Sequence, residues 1–122
     1  MRLSDVIQRF TLVSGLEPEE VSHWTVLCVD AMNEIREQAG AIESRNEQEV
    51  LRLSNAAGVY AYYKYCLYTY SSKIKTFSAG VISVTASVDE LEHAAKMWEA
   101  EREACSDLLG GSGDFCFRRV AV

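Results

Sequence analysis

Apolar side chains recur at helical intervals over most of this chain, in four separable runs. In the first, Leu3, Val6, Ile7, Phe10 and Val13 share one face, Ser4 is a candidate cap, and Gly15 is placed to end the helix in a left-handed turn. The second starts at Glu17-Pro18-Glu19-Glu20, where proline suits a first helical position and the carboxylates suit the positive end of the helix dipole. Val21, Trp24, Cys28, Ala31, Met32, Ile35 and Ala39 then line one face up to Gly40. The third run follows Ser44-Arg45-Asn46-Glu47, which reads as a capping box and predicts a helix over 45–70. It carries two apolar stripes. One is Val50, Leu53, Ala57, Tyr60, Ala61 and Tyr68, with Lys64 among them; the other is Ala56, Val59, Tyr63, Cys66, Leu67 and Tyr70. The fourth run, after a second capping box at Ser87-Val88-Asp89-Glu90, has Val88, Leu91, Ala95, Trp98, Cys105, Leu108 and Leu109 on one stripe, with Arg102 interposed.

Two stretches break the helical pattern. Residues 71–87 hold Lys73-Ile74-Lys75, then Phe77-Ser78-Ala79-Gly80 and the β-branched run Val81-Ile82-Ser83-Val84-Thr85, a composition that predicts a short hairpin or an extended arm. Such a two-stranded ribbon is marginal alone and has to lean on a neighbouring surface. At the other end, Gly110-Gly111-Ser112-Gly113 forms a joint, after which Phe115, Cys116, Phe117, Arg118, Arg119 and Val120 read as a β-prone tail suited to pairing with a sheet edge. The expected architecture is therefore mainly α: one domain over 1–122, a bundle of about four helices, with an arm over 71–87 and a tail over 110–122.

Charge and aromatic content sharpen this picture. All six tyrosines fall within residues 60–70, and no Asp or Glu occurs anywhere in 50–88, although the chain has 18 of them. That segment carries Arg52, Lys64, Lys73 and Lys75, so it is +4 inside a chain of net charge −6, and the rest of the chain is −10. A helix this aromatic offers more sticky surface than a solvated helix tolerates, and tyrosine suits wet boundaries between chains. Tyr63, Cys66 and Tyr70 are therefore candidates for a subunit-interface face, with Phe77, Val81 and Val84 of the arm. Phe115, Phe117, Arg118 and Arg119 are candidates for docking the tail on a partner. Lys64 and Arg102 either bury their stems beneath an exposed charge or meet acids across a subunit boundary. The basic segment also complements the last helix, with seven acids and two bases over 89–107.

At 122 residues and 48% hydrophobic content, the chain has the composition of one globular domain. No hydrophobic stretch follows a basic N-terminal region, and the apolar run over 56–70 is short and interrupted by Lys64. The expectation is a soluble protein made inside the cell, with no membrane partner. Acidic balance argues against general nucleic-acid binding. Cys28, Cys66, Cys105 and Cys116 are widely spaced among apolar neighbours and read as buried thiols rather than a disulfide framework.

Catalytic chemistry finds little footing. Glu20…His23 and Glu90…His93 have the Glu-x-x-His spacing of dimetal carboxylate bundles. Both pairs, however, lie at predicted helix starts and off the apolar stripes, and the third helix offers only Glu47 and Glu49. No cysteine has an activating neighbourhood, and the glycine-rich joint follows a helix instead of preceding one, so it lacks a phosphate cradle. The expectation is a non-enzyme with no metal and no cofactor.

The order of elements, with "GLEPEEVSHW", "LSNAAGVYAYYKY", "FSAGVISVT" and "DFCFRRV" in sequence, resembles the small head–tail connector (head-completion adaptor) proteins of long-tailed phages and prophages. The likeness spans nearly the whole chain and includes no catalytic signature. Val81 stands where the resemblance leads one to expect a polar or acidic residue. The resemblance implies a structural protein of the virion's head–tail junction, made in the bacterial cytoplasm and assembled as a homo-oligomeric ring between portal and tail-side proteins. It also implies an arm that reaches a neighbour or lines the channel, in passive contact with DNA, and a tail that docks on the portal or another ring component. A bacterial helical binding module, such as a small regulator or chaperone-like adaptor outside any virion, is the other reading that the residues leave open.

Overall fold

The computed structural model describes residues 1–40, 45–75 and 81–109, with side chains described over 1–40, 45–70 and 89–109. The chain is mainly helical: α1 (Leu3–Ser14), α2 (Pro18–His23), α3 (Thr25–Ala39), α4 (Glu47–Lys75), α5 (Val81–Ala104) and α6 (Ser106–Leu109). Among the described residues there is no strand.

Helix α4 is the centre, packed against α1, α3 and α5. Its buried residues are mostly small, with Ala56, Ala57 and Ala61 beside Leu53 and Val59, so neighbouring backbones can come close. Helix α1 crosses closely at Gly58. A Cβ there would lie 2.5 Å from Cβ of Arg9 and 3.0 Å from the Val6 carbonyl oxygen, so only glycine permits this approach. Val6 and Phe10 of α1, Cys28, Ala31 and Ile35 of α3, and Ala94 and Trp98 of α5 complete the core around α4.

Gly15 (φ 68°) and Gly40 (φ 76°) end α1 and α3 as the sequence predicts. The second run, though, is two helices. Trp24 (φ −108°, ψ 11°) breaks it after His23, and its indole packs edge-on against Tyr65 and Tyr68 at centroid distances of 5.0 and 5.5 Å. The aromatic contact accompanies a local departure from helical geometry that periodicity alone does not register. The cap of α4 is also displaced by two residues from the predicted box. The side-chain oxygen of Asn46 accepts from the Glu49 amide (2.8 Å) while the Glu49 carboxylate accepts from the Asn46 amide (3.2 Å).

The hairpin expected over 71–87 is overturned. Residues 71–75 continue α4, and α5 begins at Val81, so Val81 and Val84 sit on a helix and the supposed capping box at Ser87 lies inside it. A β-branched residue costs a helix only about 0.5 kcal/mol each relative to the best formers, less than packing a long antiparallel partner along α4 contributes. That partnership is direct. Tyr60 stacks on Trp98, and Arg52 donates to the Ala104 carbonyl, so the two helices run antiparallel. Phe77 of the expected arm, and the expected β-prone tail with Phe115, Phe117, Arg118 and Arg119, lie outside the described residues.

Candidate interaction surface

The first half of α4 and the turn just before it are held by cation–carbonyl bonds. One Arg45 guanidinium nitrogen donates to the carbonyl oxygens of Ala39 and Leu108, each at 3.0 Å, joining the last turn of α3 to the end of α6. Arg52 donates to the Ala104 carbonyl at 2.7 Å and pairs with Asp107 at 3.0 Å. Both arginines therefore satisfy carbonyls that helix ends leave open, at the negative end of each dipole. The Arg52 guanidinium holds the Asp107 carboxyl below the usual carboxylate range. Cys105 tucks beneath it, its thiol donating to the Arg52 carbonyl at 3.8 Å, and burial pushes that thiol's pKa up.

In the second half of α4, rings replace ions. Phe10 and Trp24 both meet Tyr65 edge-on, Tyr62 stacks beside Tyr65, and the Trp24 ring also meets Tyr68. Burial raises the pKa of Tyr62 and Tyr65. Between the halves, the Tyr60 hydroxyl donates to Glu34 at 2.8 Å, and Lys64 pairs with the other oxygen of the same carboxylate at 2.7 Å while lying 4.8 Å above the Tyr60 ring. Lys64, a candidate for meeting an acid across a subunit boundary, thus pairs with one in its own chain, as Arg52 does with Asp107. Arg102 is half-buried beside Glu99, Glu103 and Ser106.

The aromatic helix is therefore better enclosed by its own chain than its sequence predicts. Cys66 is 4% exposed and belongs to the core, while Tyr63 and Tyr70 are half-buried, so these three do not form one open face. Among the described residues, the large apolar side chains left uncovered are Leu12, Val26, Leu51, Leu67 and Tyr68. Tyr68 is 61% exposed even with one side against Trp24. Leu12, Val26 and Leu51 lie off the apolar stripes of their helices, and a leucine or valine stranded on the polar side was the available signal for them.

Four of these residues make two patches. Leu12 and Leu51 flank an open groove between α1 and α4, about 510 Å³ in volume, with Gln8, Arg9 and Asn55 along it. The groove continues past Asp5 and Val50 to Arg45. Leu67 and Tyr68 form the other patch. Sixteen residues separate Leu51 from Leu67, about 24 Å along the helix axis and about 160° around it, so the patches lie near opposite sides of α4.

His23 and His93 are exposed, and among the described residues no group of three or more His, Cys, Asp or Glu side chains could hold a metal ion. Also among the described residues, no helix is long and apolar enough to cross a membrane. No family model, curated protein or solved structure matches the chain.

Proposed function

We propose that this chain is a non-enzymatic structural adaptor of a phage or prophage particle, assembling into a ring that joins portal and head to tail-side proteins. The supporting observation is the pair of apolar patches on opposite sides of α4. A ring is built from a heterologous contact, in which one surface of each copy meets a different surface of the next. Leu67 and Tyr68, with the half-buried Tyr63 and Tyr70 nearby in sequence, supply one such surface, and the Leu12–Leu51 groove supplies the other. The acidic α5, with Glu92, Glu99 and Glu103 exposed, gives each copy a charged outer face that opposes non-specific stacking. In this reading the tail anchors Phe115, Phe117, Arg118 and Arg119 engage the portal or another ring component in the assembled particle.

Sedimentation and negative-stain microscopy of the chain, alone and mixed with a portal assembly, test the proposal. Closed rings are expected once the portal is present, and Leu67→Glu with Tyr68→Glu should prevent the chain from joining them. A chain that stays monomeric under both conditions, and instead captures an apolar peptide in the α1–α4 groove, would favour the binding-module reading.

A further inference from the structure

We propose that the α1–α4 groove is the docking site of this chain's own C-terminal segment, with Phe115 and Phe117 covering Leu51 and Leu12. Several observations converge on that occupant. Leu12 and Leu51 are 71% and 51% exposed, a large apolar surface for two helices to leave open side by side. The chain leaves α6 at one end of the groove, because Arg45, which lines that end, donates to the Leu108 carbonyl. From there, the five residues 110–114 span up to about 17 Å, and the groove between Asp5 and Leu12 is about 10 Å long on the rise of α1. The tail therefore reaches it without strain, and no longer linker is needed.

The chemistry of the two surfaces matches. No strand edge exists among the described residues for the tail to pair with, so its apolar side chains need an apolar groove instead. In an extended segment Phe115 and Phe117 fall on the same side, about 7 Å apart. Arg118 and Arg119 follow them, and Asp5 and Glu47 are the carboxylates along the groove. Arg45 adds a directional element. Its Nε is buried and has no acceptor among the described residues, so a carbonyl of the entering tail would complete the set of bonds that this guanidinium makes. Docking does not depend on ring formation. Its consequence does rest on that reading: a tail held in its own groove keeps one of the two ring surfaces covered until a partner draws the tail away.

Cys116 provides the test, because the tail carries its own thiol while Cys28, Cys66 and Cys105 are buried. Gln8→Cys places a second accessible thiol in the groove, and Val26→Cys places one on exposed α3 as a control. Under mild oxidation of the full chain, Q8C is expected to link to Cys116 within one chain, read as monomer mass on non-reducing denaturing gels and as a cross-linked peptide pair. V26C should give several-fold less linkage, and adding F115S/F117S to Q8C should lower its yield by a similar factor. Disulfide-linked dimers from Q8C, equal capture by both positions, or no capture by Q8C would each overturn the proposal. Capture without rings would count only against the ring reading, and rings without capture only against this one.

Discussion

The two halves of α4 are stabilised by different physics. Around Arg45 and Arg52, directional bonds from guanidinium groups tie three helix ends together, and each bond has a partner more than fifty residues away or across a chain reversal. Around Tyr62, Tyr65 and Tyr68, the contacts are ring edges and faces, which tolerate some sliding and leave the outermost ring half in water. Directional bonds specify a corner. Aromatic packing fills space and still leaves a surface for something else to use.

The largest expected effect comes from the aromatic half. Phe10 is fully buried and meets Tyr65 edge-on, so Phe10→Ala should lower unfolding stability by about 3–5 kcal/mol in denaturant titration. A loss below about 1 kcal/mol would mean that the rings are not a packed core. Arg45→Ala comes next. It strands two helix-end carbonyls, and a loss of about 2 kcal/mol is expected, with amide exchange quickening in α6 before it does in α3. Uniform quickening would show that the corner has no local role.

Base is expected to act more gently than either substitution. Burial pushes the Cys28 thiol up to about 11 from its ordinary 9.0 and also raises Tyr62. The unfolded chain therefore loses these protons first. Stability is fully present below about pH 9 and falls as pH rises toward 11. Cys28→Ala should flatten the first part of that fall in denaturant midpoints measured across the range; an unchanged slope would assign it to other groups. Smallest of all is Tyr68→Ser, where exposure limits the stability change to within about 0.5 kcal/mol. Its effect is expected in association with portal-bound copies, and normal incorporation would remove Tyr68 from the ring surface.

Local signals read well from the sequence. Gly15, Gly40 and the helical stripes over α1 and α3 depend on neighbours within a turn or two, and the structure places them as expected. What periodicity missed depended on distant partners. Trp24 breaks its helix beside tyrosines forty residues further on, and Arg45 and Arg52 look like ordinary surface cations until α6 folds back on them. The hairpin over 71–87 was misread because a β-branched run is a weak preference, easily outweighed by α5 lying along α4. The candidate surface was half legible. Leu67 and Tyr68 belonged to the recognised stripes, whereas Leu12 and Leu51 were visible only as apolar residues on the wrong side of their helices.

The placement of the two tryptophans equips the molecule with its own optical gauge. Trp98 is stacked face to face on Tyr60 inside the helix pair, while Trp24 touches Tyr68 at the rim of an uncovered patch. Covering that rim changes the polarity around one indole and leaves the other almost untouched. The emission colour of Trp24, isolated by replacing Trp98 with phenylalanine, would then report a partner seating on the Tyr68 patch in real time and without any attached dye.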